Sequence, residues 1–251
     1  ENLIGTDVDD LIDSDGGNDY INGKTGNDTL VLFAEKVDFT FFGETLTVAG
    51  ITKMKMGLSY SGIGYQYYQD VIKMINVETV LFNDDSLDLD TTLAAESIIW
   101  GTTASENLIG TDVDDLFDSA GGNDYINGKT GNNTLAIFSD KENFQIMTVA
   151  GITKIYGDTN VSGFGYAYYG DFIKTINVES IAFSDQTVTV DTAISADNIY
   201  WSYTSASDNI TGSDEADLFD GSGGSDYISG KAGNDTLAIF SDRANFEVVT
   251  L

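Results

Sequence analysis

Two rhythms of apolar and polar residues alternate along the chain. In the first, a lone apolar residue returns every nine positions: at Ile12, Ile21 and Leu30, at Phe117, Ile126 and Leu135, and at Phe219, Ile228 and Leu237. The intervals are rich in Gly, Asp, Asn and Ser, residues that tolerate tight or left-handed turns. The pattern predicts six-residue turns joined by minimal strands with one apolar side chain in the middle, such as 20–22. In the second rhythm, short β-branched or aromatic runs are broken by Gly or Asn. They predict strands at TLVLF (29–33), FTFF (39–42), LTVAGITKMKM (46–56), DVIKMI (70–75), ETVLF (78–82) and SLDLD (86–90). No helical period of useful length is present, so the expected fold class is all-β.

The chain repeats itself. ENLIGTDVDDL (1–11) returns unchanged at 106–116, GGNDYINGKTGN (16–27) returns at 121–132, and a diverged third copy spans 208–237. Between the copies, VAGITK (48–53) returns at 149–154, and 61–84 returns with few changes at 162–185. The unit is about a hundred residues, a Gly/Asp block followed by a β-rich spacer. Blocks are placed at 1–31, 101–136 and 203–238, spacers at 32–100 and 137–202, and the start of a third spacer at 239–251. GETL (43–46) reads as an insertion in the first spacer. The chain starts at Glu and stops inside a spacer, and the natural protein is expected to continue past both ends.

Within each block the sixth place of the nonapeptide is acidic: Asp10, Asp19, Asp28; Asp115, Asp124 and, as an exception, Asn133; Asp217, Asp226, Asp235. A degenerate nonapeptide precedes each block and carries Glu1, Glu106 or Asp208 at that place. Two turn–strand steps make one coil, so a turn stacks on the turn eighteen residues later. Sixth-place residues then pair as Asp10 with Asp28, Glu106 with Asp124, Asp208 with Asp226 and Asp217 with Asp235, with Glu1 and Asp19 in the corresponding places. Facing carboxylates repel unless one takes up a proton or a metal.

Composition narrows the metal. The chain has 41 Asp+Glu against 11 Lys+Arg, no His, no Cys and no Pro. Without His or Cys there is no imidazole or thiolate zinc site, no triad nucleophile and no disulfide. The net charge of −30 opposes binding to nucleic acid or anionic lipid, and no stretch is apolar enough to insert in a membrane. Asp, Asn and Gly oxygens favour a hard cation, Ca²⁺ before Mg²⁺, because Mg²⁺ rarely accepts an all-protein carbonyl cage.

GGNDYI, GKTGNDTL and GSGGSDYISGKAGNDTL resemble the RTX (repeats-in-toxin) nonapeptide G-G-x-G-x-D-x-U-x. The resemblance implies a calcium-binding parallel β-roll, with several ions, about two per block. It also implies a ligand set: carbonyls of the first and third places of one turn and of the second and fourth places of its partner, with both sixth-place side chains. In the first block these are Gly5, Asp7, Asp10, Lys24, Gly26 and Asp28. In the second they are Gly101, Thr103, Glu106, Ala120, Gly122 and Asp124, then Gly110, Asp112, Asp115, Lys129, Gly131 and Asn133. In the third they are Tyr203, Ser205, Asp208, Ser222, Gly224 and Asp226, then Gly212, Asp214, Asp217, Lys231, Gly233 and Asp235. Lys in a turn is harmless where only its carbonyl is used. Asn133 lowers the ligand charge at its site, and Val8 and Val113 stand where Gly is usual, so distorted turns are expected there.

The spacers are expected to cover the open ends of the coils, with Trp100 and Trp201 packing spacer against block. A Tyr-rich stretch recurs at Tyr60, Tyr65, Tyr67 and Tyr68 and at Tyr166, Tyr168 and Tyr169. It reads either as sheet core or as a surface for a glycan or a neighbouring copy of the chain. Three functions remain open. One is a non-catalytic extracellular structural repeat of a secreted bacterial surface protein (S-layer, fibre or adhesin stalk), exported by type I secretion as the resemblance implies. The second is the calcium-binding tail of a secreted protease or lipase. The third is a ligand-binding module using the Tyr surface. Every regular carboxylate pair is absorbed by the metal register, which leaves none for catalysis.

Overall fold

The computed structural model describes residues 1–36, 45–55, 60–61, 66–67, 71–93, 95–157, 162–163, 166–167, 172–202 and 206–249. The predicted strand at 39–42 lies outside them, as do Tyr65, Tyr68, Tyr168, Tyr169, Tyr203 and Ser205. The fold is an all-β roll. Among the described residues no helix is long and apolar enough to cross a membrane.

The eighteen-residue register is realised in parallel pairing. Strand Asn2–Ile4 pairs with Asp19–Asn22, with Leu3 opposite Ile21, and Leu11–Asp13 pairs with Thr29–Val31, with Ile12 opposite Leu30. The second block repeats this with Asn107–Ile109 on Tyr125–Asn127 and Asp115–Asp118 on Thr134–Ala136. The third has Asn209–Thr211 on Tyr227–Ser229 and Asp217–Asp220 on Thr236–Leu237. Alternate nonapeptides therefore feed two facing sheets, and the eighth-place side chains meet between them.

The spacers do more than cover the coil ends: they prolong both sheets. In the first unit Val71–Ile75 adds in parallel to Asp19–Asn22, and Thr79–Leu81 adds in parallel to Thr29–Val31. Antiparallel strands then close the edges, Ile51–Lys55 and Thr45–Val48 on one sheet and Ser86–Asp88 on the other. The core between the sheets joins block residues Ile21 and Leu30 to spacer residues Met54, Ile72, Met74, Val77, Val80 and Phe82. The second unit has the same plan around Phe117, Ile126, Leu135, Ile155, Ile173, Val178 and Ile181. At roughly 1.5–3 kcal/mol per fully buried large apolar side chain, the spacer contributes as much to each core as the nonapeptides do.

Two sequence readings change. The run 46–56 is a hairpin rather than one strand: Thr45–Val48 pairs with Ile51–Lys55 across Ala49 and Gly50, both at positive φ (50° and 83°). The register also moves the insertion. Leu46 faces Lys53 as Met147 faces Lys154, so Thr45 and Leu46 belong to the hairpin and the extra residues precede them.

Successive units pack outer face to outer face. Val48, Ile51 and Ile75 of the first unit bury against Leu116, Ala136, Phe138 and Ala182 of the second. Ile152 and Ile176 of the second, with Tyr125, bury against Leu218 and Ala238 of the third. The tryptophans sit here as expected: Trp100 meets Tyr20 edge-on at 5.1 Å and Trp201 meets Tyr125 at 4.0 Å. Each seam also holds buried charge. Lys53 Nζ lies 2.8 Å from Asp118 Oδ2, with both side chains fully buried, and Lys73 Nζ lies 3.5 Å from the same oxygen. In the next seam Lys154 and Lys174 reach the two oxygens of Asp220 at 2.9 and 2.8 Å. Lys53 lies 3.7 Å above the Phe138 ring and Lys154 lies 3.9 Å above that of Phe240.

Candidate metal centre

The sixth-place side chains form ladders along the stacked turns. The backbone N–H of Asp10 donates to Asp28 Oδ1 (2.8 Å), that of Glu106 to Asp124 Oδ1 (2.9 Å) and that of Asp115 to Asn133 Oδ1 (3.0 Å). Those of Asp208 and Asp217 donate to Oδ1 of Asp226 (2.9 Å) and Asp235 (3.2 Å). The pairs expected from the period are thus brought together. One oxygen of the later residue is spent on the ladder. At Asp28, Asp226 and Asp235 the other turns back over the first-place glycine of its own turn.

That glycine is required by close approach. A Cβ on Gly5 would lie 2.7 Å from Asp10 Oδ2 and 2.5 Å from Gly23 O, and one on Gly110 would lie 2.6 Å from both Asp115 Oδ2 and Gly128 O. Over Gly5, Gly101, Gly110 and Gly212, a side-chain oxygen and the first-place carbonyl of the stacked turn converge. The Asp10 and Asp115 oxygens already accept one backbone N–H each, from Thr6 and Thr111, and retain acceptor capacity for a further donor or a cation. Among the described residues no three carboxylates gather at one point, so a cation here would be held chiefly by carbonyls with one or two carboxylates. Such a donor set suits Ca²⁺.

The turns come in two kinds, which the sequence foreshadows only at Val8 and Val113. Where the fourth place is Gly, it takes positive φ, as at Gly26 (137°) and Gly131 (107°), and so does the second place, as at Lys24 (72°), Ala120 (61°), Lys129 (60°), Ser222 (59°) and Lys231 (68°). Place two then gives its N–H to the side chain two residues earlier: Lys24 to Asn22 and Lys129 to Asn127, both at 2.9 Å. Where the fourth place is Val8, Ala104, Val113 or Glu215, positive φ is absent. In these turns place two caps the acid instead. Thr6, Thr102, Thr111 and Ser213 donate backbone N–H to Asp10, Glu106, Asp115 and Asp217 at 2.5–2.7 Å, and the hydroxyls of Thr6, Thr111 and Ser213 add bonds at 2.9–3.0 Å.

Two ladder acids are shifted, in opposite directions. Burial raises the Asp217 carboxyl, but the Ser213 N–H and hydroxyl, the Asn198 amide and Lys231 outweigh it and hold Asp217 below the ordinary carboxylate value. Asp28 goes the other way. Burial pushes it up and the charges of Glu78, Asp10 and Asp9 add to the rise, against the single Asp10 N–H. Its Oδ2 is buried without a hydrogen-bond partner, as is Asp19 Oδ2.

Sequence reasoning missed two ladder members. The Asp28 N–H donates to Glu78 Oε2 and the Asn133 N–H to Glu179 Oε2, both at 2.7 Å. These spacer glutamates close the run INVE in both copies, and that recurrence was the available signal. Asn76 and Asn177, two residues earlier, take positive φ (50° and 52°) and make the shortened turn that carries them.

The family described as RTX calcium-binding nonapeptide repeat (4 copies) matches residues 1–30, 100–135 and 203–237. A comparison with curated proteins finds no match. Among solved structures, an extracellular lipase, LipA of Serratia marcescens, is similar at 11% identity with a TM-score of 0.26, over 71% of this chain and 38% of the lipase. The chain thus spans well under half of that lipase, and so distant a likeness carries no argument about what it does. The nonapeptide register, the parallel roll and the matched residues agree block by block: the three Gly/Asp blocks belong to the RTX calcium-binding nonapeptide repeat family.

Proposed function

We propose that this chain is a non-catalytic, calcium-dependent structural repeat of a secreted bacterial surface protein, in which Ca²⁺ folds each block and the folded blocks stack into a stiff array. The observation that carries the reading is the repeated seam between units. The same lysine positions, Lys53 and Lys73 or Lys154 and Lys174, meet the same aspartate position, Asp118 or Asp220, beside the same Trp–Tyr contact. A secreted enzyme's tail needs no such device, whereas an array of near-identical units does. Calcium would be held by the first- to fourth-place carbonyls and sixth-place carboxylates, where it supplies positive charge between oxygens that otherwise repel. Neighbouring copies of the chain are the favoured partners, through the Tyr-rich stretches.

Small-angle scattering on the whole chain tests this. With calcium the particle should be elongated and rigid, and with chelator it should expand and lose its defined cross-section. A compact particle with calcium, or profiles that do not change on chelation, would refute it.

A further inference from the structure

The ladder of sixth-place residues runs past the nonapeptides into the spacer, and its last step differs between the units. In the first unit Gly23 N–H donates to Ile75 O (3.1 Å) and Asp28 N–H to Glu78 Oε2 (2.7 Å), which seats the spacer turn 75–78 on the last nonapeptide turn. A Cβ on Gly23 would collide with both Asn76 O and Asp28 Oδ2. Asp28 is 1% exposed and this oxygen has no hydrogen-bond partner. A buried carboxylate oxygen with no donor of its own therefore lies beside a carbonyl oxygen.

The second unit has the same backbone and a different solution. Gly128 N–H donates to Ile176 O (3.0 Å), Asn133 N–H to Glu179 Oε2 (2.7 Å), and Asn133 Oδ1 accepts from Asp115 as Asp28 Oδ1 does from Asp10. The atom standing where Asp28 has Oδ2 is now Nδ2. It donates to Asn177 O at 2.9 Å and lies 3.5 Å from Thr130 O. The amide supplies the positive hydrogens that the first unit lacks.

We infer that the first unit holds a Ca²⁺ ion between its last nonapeptide turn and the spacer turn, on Asp28 Oδ2, Asn76 O and the carbonyl of Thr25, the counterpart of Thr130, and that the Asn133 amide replaces this ion in the second unit. The site lies beyond the pairs of nonapeptide turns, because the spacer supplies one of its walls. Near-identical units therefore bind unequal numbers of ions. The inference rests on the calcium-binding reading of the blocks.

The test counts ions bound to the whole 251-residue chain by native mass spectrometry and calcium titration. Asn133→Asp should add one ion, Asp28→Asn should remove one, and the double variant should return to the wild-type count. In chelator, Asp28→Asn should melt higher than wild type, because its amide can bond Asn76 O. An unchanged count in Asn133→Asp would overturn the inference while leaving wild-type calcium binding intact. A wild type that binds no calcium would instead sink the reading beneath it. Should Asn133→Asp fail to fold even in calcium, the chelator melt of Asp28→Asn decides, because Asp28 also belongs to the ligand set of the first block: a melt above wild type supports the site, and a melt at or below wild type rejects it.

Discussion

Replacing Asp118 with Asn probes the seam between the first two units, and the structure sets the size of the effect. Lys53 is buried against Asp118, and burial, only partly offset by that carboxylate, lowers the lysine from its ordinary 10.5 to about 8. Its folded value lies below its unfolded one, so the cost of burying the charge is fully present below about pH 8 and is relieved as pH rises from there towards 10.5. At pH 7 the folded protein can therefore discharge Lys53 at a cost on the order of 1 kcal/mol. That escape caps the penalty of Asp118→Asn. Stranding a buried charge usually costs about 3–5 kcal/mol, but here the added electrostatic cost at pH 7 should stay on the order of 1 kcal/mol, because the lysine sheds its proton instead.

The cap follows pH: roughly 3 kcal/mol at pH 6 and near zero at pH 8. Lys73 lies at 3.5 Å with a partly exposed side chain, so its lost contact adds little. Urea unfolding of wild type and variant in saturating calcium at pH 6, 7, 8 and 9 reads the difference directly. It should shrink by up to about 1.4 kcal/mol per unit between pH 6 and 8 and then level off. A difference that is flat across the series, or that still exceeds about 3 kcal/mol at pH 8, would refute the buried pair as the origin of the effect.

Other outcomes follow from the turns. Adding millimolar Ca²⁺ to chelated protein should raise β-type circular dichroism and sharpen the melt, with Mg²⁺ doing less and half-saturation on the order of 10⁻⁴–10⁻³ M; equal stability in excess chelator would contradict this. Asp226→Ala should lower calcium uptake in the third block, because Asp226 accepts from the Asp208 N–H, whereas Lys231→Ala should not; equal effects would refute the register. In calcium-free buffer the raised Asp28 carboxyl should favour the folded state at acidic pH and lose that contribution as pH rises through its folded value. Asp28→Asn should remove that part of the pH dependence, and an identical pH–melt curve would count against it.

Much of this was legible because the nonapeptide writes its geometry locally. An apolar residue at the eighth place and an acid at the sixth place of each nonapeptide fix a coil of two turns, and the eighteen-residue pairing of Leu3 with Ile21 follows. The hairpin at 45–55 was not legible because its turn puts Ala49 at positive φ, where Asn or Asp would have been the signal. Glu78 and Glu179 were missed because their ladder partners lie 50 and 46 residues away, outside any period. The seam lysines were hidden for another reason. Lys53 and Lys73 read as ordinary polar members of strands until a second unit covers that face, and only then does the alternation that buries Leu116 also bury Asp118.

The few basic residues are spent in a particular way. Of the 11 Lys+Arg in the chain, Lys53, Lys73, Lys154 and Lys174 go to Asp118 and Asp220 at the seams, while no Lys or Arg side chain bonds Asp10, Asp28, Glu106 or Asp226 in the described ladders. The ladder acids are thereby left for an external cation, and the seams are neutralised from within. The two are still linked mechanically. Asp118 lies on strand Asp115–Asp118, whose first residue is a ladder acid and whose alternate side chains, Phe117 and Leu116, face the unit core and the seam respectively. Under the proposed calcium reading, an ion that orders the turn at Asp115 would also fix where Asp118 meets Lys53. Loss of that ion should then loosen the joint between units without touching a lysine, and docking of the preceding unit should hold that strand, and with it the turn, in the geometry that binds the ion.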